Sequence, residues 1–290
     1  LPSRSLPMST IKQALADAQN QLSSLPDISP KLESEILLAY VIHKSRSYLY
    51  TWPERILESQ QLTQFQSLIE RRSSGEPIAY ITGEREFWGL PLKVSPATLI
   101  PRPETERLVE IALQQIPENK PWQIADLGTG SGALALAIAS ERPLCQIVAT
   151  DISEDALRIA EQNRNDLKLE NVRFVQGRWF EPLNGIRFNL VVSNPPYVAE
   201  NDPHLLKGDL VFEPQQALSS GPDGLDAIRS ILASAKSHLQ PDAWLMLEHG
   251  YDQGSRIMAL FEKYSFTQVF CHADYAERER ATVGQMASDH

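Results

Sequence analysis

Along the N-terminal part of the chain, apolar positions recur at the three-to-four-residue spacing of one helix face. "STIKQALADAQNQL", "PKLESEILLAYVIHK" and "SQQLTQFQSLIERRSSG" each carry such a stripe, and the last closes on a glycine. Ser9 and Ser29 are candidate N-caps, and Pro30 suits a first helical turn. These segments predict a small helical bundle over 8–75, with Arg71-Arg72 as a solvated helix end. The opening "LPSRSLP", ahead of Met8, reads as an appended stretch outside the fold. Over 76–100 the pattern changes. Short β-prone runs in "IAYITGEREFWGLPLKV" alternate with Gly and Pro, which predicts a β-hairpin linker.

From 101 to 290 the period alternates between helix and strand. "PRPETERLVEIALQQI" predicts a helix with Pro103 in its first turn and Glu104 and Glu106 near the positive end of its dipole. Beyond it, "QIADLG", "QIVATD", "VRFVQG", "FNLVVSN", "WLMLEHG", "TQVFCHA" and "ERATVGQM" read as strands. Helices are expected to start near Gly132, Ser153, Asp223 and Asp252. This alternation predicts an α/β fold: a doubly wound, seven-stranded, mainly parallel sheet behind a small helical domain.

Composition narrows the class without choosing the chemistry. With 42% hydrophobic and 22% charged residues, the 290-residue chain is of ordinary globular make-up. No apolar stretch is long enough to span a bilayer, and no secretory h-region stands near the start, so a cytoplasmic protein without membrane contact is expected. Cys145 and Cys271 belong to no CxxC pair, and the histidines form no ligand-spaced cluster; reduced thiols and no metal are expected. The "EHG" at Glu248-His249-Gly250 is at best half of a ligand set. A formal net charge of −10 argues against a long grip on a phosphate backbone, so no direct nucleic-acid partner is expected. Nothing in the sequence suggests an obligate assembly, and a monomer is the expectation.

The first predicted strand runs into Asp126-Leu127-Gly128-Thr129-Gly130-Ser131-Gly132 and then a helix. In a doubly wound sheet, ligands bind off the carboxyl ends of the strands, and glycines there let the backbone turn and approach them. The spacing is neither GxGxxG nor a P-loop, since no Lys-Ser/Thr follows. The next strand ends at Asp151, which can accept from two ribose hydroxyls or cap the helix starting near Ser153. A glycine loop without a phosphate lysine, joined to a ribose-reading acid, suits a nucleoside cofactor that carries no phosphate. S-adenosylmethionine meets that description. Asp126 would position the loop or meet the methionine part. Trp179 is either a wall of the adenine site or a buried structural ring.

The fourth strand stops at Asn194-Pro195-Pro196-Tyr197. Prolines explain the stop, since they cannot donate to a ladder. They do not explain the amide and the ring beside them. The Asn194 side-chain oxygen and the Pro195 carbonyl could accept the two N–H bonds of a planar NH2, with Pro196 keeping the backbone rigid and Tyr197 walling in the substrate. That geometry suits methylation of an amide or aromatic amine.

Three blocks, "GEPIAYITGEREFWGLPLKVSPATLIPRPETE", "DLGTGSG" and "SNPPY", together resemble the bacterial peptide-chain release factor glutamine N5-methyltransferases. The resemblance extends from about Glu76 to the C-terminus, including "DPHLLKGDLVFEPQQAL" and "LMLEHG". It implies a Rossmann-like methyltransferase sheet and transfer from S-adenosylmethionine to the side-chain nitrogen of the Gly-Gly-Gln glutamine in class I release factors. By motif, Gly128 to Gly132, Asp151, Trp179 and Asn194 would line the cofactor site, and Asn194 to Tyr197 would hold the glutamine. Arg102 and Glu106, in the "IPRPETE" block, are further substrate-side candidates or simply a capped helix start. The helical domain would bind the protein substrate. Family members often carry an acidic residue just before this tryptophan; here it is Arg178, so no carboxylate at that position is available to the adenine amino group.

Two other classes of protein share parts of this pattern. A nucleic-acid amino-methyltransferase acting on adenine N6 or guanine N2 would use the same NPPY site, but the acidic balance and the lack of a basic, aromatic-rich segment count against it. A non-catalytic nucleoside-binding protein would not need NPPY beside an intact glycine loop.

Overall fold

The computed structural model describes residues 9–26 and 28–287; "LPSRSLP" and Met8 lie outside the described residues. The chain forms two compact units. One runs to Gly83 and includes Leu206–Phe212, and the other comprises Glu84–Leu205 and the chain from Glu213 onward.

The first unit holds α1 (Ile11–Leu22), α2 (Pro30–Ile42), α3 (Arg46–Thr51), α4 (Ser59–Ser73) and α5 (Ile78–Thr82). Its core gathers the stripes read from sequence, with Ile11, Leu22, Leu37, Leu38, Phe65 and Ile69 buried together. Thr10, not Ser9, caps α1: its hydroxyl accepts from Gln13 N while the Gln13 side chain accepts from Thr10 N. Such a reciprocal box satisfies two otherwise orphaned donors, and a single cap of this kind is worth about 1 kcal/mol. Ser29 caps α2 as expected, ahead of Pro30. Arg71 is exposed, but Arg72 is only 4% exposed and is no solvated helix end. Its guanidinium donates to Glu33 at 2.7 Å and to the carbonyls of Gly75 and Glu76.

The division between units falls after Gly83, not near residue 75, and 76–100 is not a free linker. Ile81 in α5 joins the helical core. The hairpin β1 (Glu84–Phe87) and β2 (Leu90–Lys93) belongs to the second unit, because Phe87 and Leu92 are buried in its core.

The second unit is a seven-stranded sheet made of β3 (Gln123–Leu127), β4 (Gln146–Asp151), β5 (Val172–Gln176), β6 (Phe188–Ser193), β7 (Leu239–Glu248), β8 (Phe266–Ala273) and β9 (Glu279–Met286). The spatial order is β5-β4-β3-β6-β7-β9-β8. Neighbours from β5 to β7 are parallel, and β9 runs antiparallel to both β7 and β8. The helices are α6 (Glu106–Gln115), α7 (Ala133–Glu141), α8 (Glu154–Leu167), α9 (Asp226–Ala235) and α10 (Gly254–Lys263). Side chains alternate across the strands. Ile124 packs with Leu108 and Leu136 on one face, while Ala125 and Leu127 pack with Ile228 and Ile257 on the other.

The order reverses at β3, whose neighbours are β4 on one side and β6 on the other. A crevice opens at such a switch point, off the carboxyl ends of the strands. Among the described residues no helix is long and apolar enough to cross a membrane.

Candidate active site

A cavity of about 470 Å³ lies at that switch point, wholly within the second unit. Asp126, Gly128, Thr129, Gly130 and Ser131 line it from the end of β3, Asp151 from β4, Trp179 from beyond β5, and Asn194 and Pro196 from β6. Four strand ends that are distant in sequence therefore meet in one hole, as parallel pairing requires.

The glycine loop is shaped for an approaching ligand. Gly130 has φ +56° with open space where a Cβ would stand, so its backbone can be covered closely by another molecule. At Gly128, φ is +74°, and a Cβ would come within 3.0 Å of the Trp179 ring. Gly132 does not line the cavity; it precedes α7 and packs against Leu136 and Ala160. Asp151 Oδ2 accepts from Gly130 N at 2.8 Å, and Oδ1 accepts from Ser153 N at 2.9 Å. Both readings of this acid thus have a geometric basis: it braces the loop and the start of α8 while bordering the cavity. Burial raises its pKa.

Asp126 is 1% exposed. Its Oδ2 accepts from the Thr129 hydroxyl at 2.6 Å and from Ala135 N at 3.2 Å, which fixes the loop to α7. Oδ1 is buried without a hydrogen-bond partner. Burial, with a smaller contribution from the charge of Asp151, pushes its pKa up to about 7. A buried carboxylate oxygen left unpartnered, on a residue that lines the cavity, is an open request for a donor or a cation. Trp179 has φ +49°, lines the cavity and packs on the core, so wall and structural ring are one residue; its Nε1 is buried and also unpartnered. Arg178 lines the cavity as well.

At the end of β6, Asn194 Nδ2 donates to Thr105 Oγ1 at 3.2 Å. Pro195 is buried and Pro196 faces the cavity. Tyr197 lies just behind the cavity lining, its hydroxyl donating to Glu248 Oε1 at 3.3 Å. Burial, then the Glu248 charge, raises the phenol pKa. The Tyr197 carbonyl accepts from Gln253 Nε2, so the turn is held from below.

The "IPRPETE" block separates into two roles. Arg102 lines the cavity and pairs with Glu213, whose side chain is fully buried and also accepts from Ile100 N. Glu106 does not line it: its carboxylate accepts from Trp88 N at 2.8 Å and anchors the hairpin. Pro103–Thr105 is a 3-10 turn ahead of α6.

Sequence reading missed four polar residues that hold this site. Asn163 on α8 is 1% exposed, donates to the carbonyls of Ser131 and Lys93, and accepts from Lys93 N, so it joins the glycine loop to the hairpin. Glu213, Thr105 and Glu248 are the others. Glu248, 2% exposed, has its pKa pushed up to about 7 by burial. All four act over long separations: Thr105, Glu213 and Glu248 stand inside the "IPRPETE", "DPHLLKGDLVFEPQQAL" and "LMLEHG" blocks, but nothing local shows which side chains they meet, and Asn163 stands in no motif at all.

Comparison with known proteins agrees with this architecture. Residues 13–83 match the model described as PrmC N-terminal domain, ending where the first segment of the first unit ends, and 108–269 match the Methyltransferase small domain. A release factor glutamine methyltransferase of Pseudomonas aeruginosa is 49% identical over 97% of this chain and 100% of its own length. One from Aliivibrio fischeri is 48% identical over 90% of this chain and 92% of its own. Among solved structures, the catalytic domain of hMettl16 in complex with MAT2A 3′UTR hairpin 6 aligns with a TM-score of 0.57 at 13% identity, covering 87% of this chain and 93% of that one. A methyltransferase from Pyrococcus furiosus gives 0.53 at 17% identity, covering 77% and 98%. These two share the fold. The level and extent of identity to the bacterial relatives carry the conclusion that this chain belongs to the release factor glutamine methyltransferase family.

Proposed function

We propose that this protein transfers a methyl group from S-adenosylmethionine to the side-chain nitrogen (N5) of the Gly-Gly-Gln glutamine in class I peptide-chain release factors. The observation that carries the reading is the meeting of two features in one cavity: a glycine loop with an unpartnered buried carboxylate oxygen, and an Asn-Pro-Pro-Tyr turn whose amide nitrogen is already engaged.

The residues present fit the cofactor. The Asp126 oxygen suits the ammonium of a methionine moiety, the open backbone at Gly130 suits close cover, and Asp151 suits ribose hydroxyls beside the Trp179 ring. When bound there, S-adenosylmethionine supplies an electrophilic methyl on a positively charged sulfur. The chain's own task is to present a poor nucleophile. An amide nitrogen has a delocalised lone pair, and holding it in place recovers much of the barrier otherwise spent on orientation. Asn194 Oδ1 accepts one N–H and the Pro195 carbonyl the other, and both acceptors strengthen as positive charge develops on nitrogen. Once the C–N bond has formed, the nitrogen loses one of those protons, so no strong base is required. Pro195 and Pro196 restrict the backbone and keep the acceptors aimed. Tyr197 supports the turn from behind, and Arg102 offers a cation at the rim.

The test is to incubate the full chain with methyl-labelled S-adenosylmethionine and, separately, a purified class I release factor, tRNA or DNA. Label on the Gly-Gly-Gln glutamine is expected; label on nucleic acid alone would overturn the reading. Asn194→Ala should lower the rate by about 10²–10³-fold while cofactor affinity is largely retained.

A further inference from the structure

Stiffness alone does not aim a carbonyl. Pro195 and Pro196 have their φ angles locked by their rings, and Asn194 and Pro195, each standing before a proline, are confined in ψ as well. A segment that stiff takes its direction from whatever holds its two ends. At the near end Ser193 is fixed in β6, where its hydroxyl donates to the Leu127 carbonyl at 2.6 Å. At the far end the Tyr197–Val198 peptide is held on both sides. Its carbonyl accepts from Gln253 Nε2 at 2.9 Å, and its N–H donates to the Leu218 carbonyl at 2.9 Å. Gln253, 7% exposed, spends its other amide atom on the loop after β7, with Oε1 accepting from Gly250 N at 2.8 Å. A backbone N–H can only donate and a carbonyl only accept, so one orientation of this amide satisfies both. Gly224, at φ +77°, closes the clamp: a Cβ there would collide with the Tyr197 oxygen and come within 2.9 Å of Gln253 Nε2. Neither Gln253 nor Gly224 lines the cavity.

We propose that Gln253 is a positioning residue for methyl transfer. It aims the Pro195 carbonyl by holding the far end of the Asn-Pro-Pro-Tyr turn against the loop after β7, and Gly224 leaves the room for that hold. Without Gln253 the Tyr197 carbonyl loses this donor, the turn pivots on Ser193, and the Pro195 acceptor moves off the line of the incoming N–H. The effect passes through the backbone alone, since Gln253 stands outside the cavity. It therefore falls on the rate: a displaced acceptor leaves binding of both substrates nearly intact while spoiling the alignment that an amide nucleophile needs. This inference rests on the reading that the turn holds the methyl-accepting nitrogen.

The experiment measures kcat, release-factor KM and S-adenosylmethionine affinity for the full chain and for Gln253→Met, Gly224→Ala, their pair, and Arg256→Gln. Methionine keeps the length of glutamine and loses both hydrogen bonds, whereas alanine at Gly224 leaves Gln253 in place and crowds the Tyr197 oxygen. Each should lower kcat by about 10–100-fold, with KM and cofactor affinity within about threefold of the parent. The pair should be little worse than either alone, because both act through one carbonyl. Arg256, on α10, ties that helix to the Gly224 loop through Asp223 rather than through Tyr197, so Arg256→Gln should keep kcat within about twofold. A Gln253→Met kcat within about twofold of the parent, a fall in cofactor affinity as large as the fall in kcat, an equal kcat loss in Arg256→Gln, or additive losses in the pair would overturn the proposal. Should Gln253→Met or Gly224→Ala fail to fold by circular dichroism, the other, set against Arg256→Gln, decides it. If the parent labels a nucleic-acid amino group rather than the glutamine, the functional reading fails, and the same comparison on that acceptor still decides this one.

Discussion

Asp126 is a carboxyl group buried against its own charge. In the unfolded chain its carboxyl ionises near the ordinary value of 3.8, whereas in the fold burial holds the proton on until about pH 7. Its contribution to stability is therefore full below about pH 4 and is lost as pH rises through about 7. Glu248, also pushed up to about 7, acts with the same sign. Cofactor-free Asp126→Asn should accordingly lose less melting temperature between pH 5 and pH 8 than the parent does. Calorimetry should show the opposite trend for binding: parent affinity for S-adenosylmethionine should rise with pH through about 7, as the carboxylate becomes available to an ammonium, and this rise should be absent in Asp126→Asn. At the residue scale the sequence was legible where chemistry is contiguous. "DLGTGSG" and "NPPY" announce themselves, while Thr105, Asn163, Glu213 and Glu248 do not, since each finds its role only when strands distant in sequence come together. Glu106 shows the converse, a carboxylate in a suggestive motif that serves a backbone amide of the hairpin.

Elements were easier to read than their supports. All seven strands of the sheet stand where they were read; the central parallel β3, β4 and β6, buried on both faces, leave the clearest unbroken hydrophobic signature. The six-residue α3 and five-residue α5 are too short for a periodic stripe, and neither was expected. The hairpin was expected, but its allegiance was not: burial of Phe87 and Leu92 and the bond from Trp88 N to Glu106 fix it to the second unit. Asn163 extends that attachment to the glycine loop through three hydrogen bonds. Replacing it by alanine leaves the buried Ser131 carbonyl and the half-buried Lys93 carbonyl and amide without that partner, at a cost of about 1–3 kcal/mol. Denaturant unfolding of Asn163→Ala should register that loss. Cofactor affinity should fall as well, because Ser131 would lose its tether.

At the scale of the whole molecule, the two units keep separate cores and separate polar anchors. In the helical unit the anchor is Arg72, whose guanidinium meets Glu33 and two backbone carbonyls at low exposure. Breaking a buried pair by removing one member commonly costs about 3–5 kcal/mol. Arg72→Met should therefore destabilise the helical unit in urea titrations. S-adenosylmethionine affinity should stay at the parent value, since every cavity-lining residue belongs to the other unit. An equal loss of affinity would show that the units are energetically one.

The placement of Leu206–Phe212 with the helical unit also dictates an order of events during synthesis. When Gly83 leaves the ribosome that body is still missing a piece, with Gly75 lacking the Phe212 ring and Arg72 lacking Asp209. Those partners arrive only after β3, β4, β5 and β6 have been translated. The first body begun is thus finished late, and neither unit can be excised as an uninterrupted cassette.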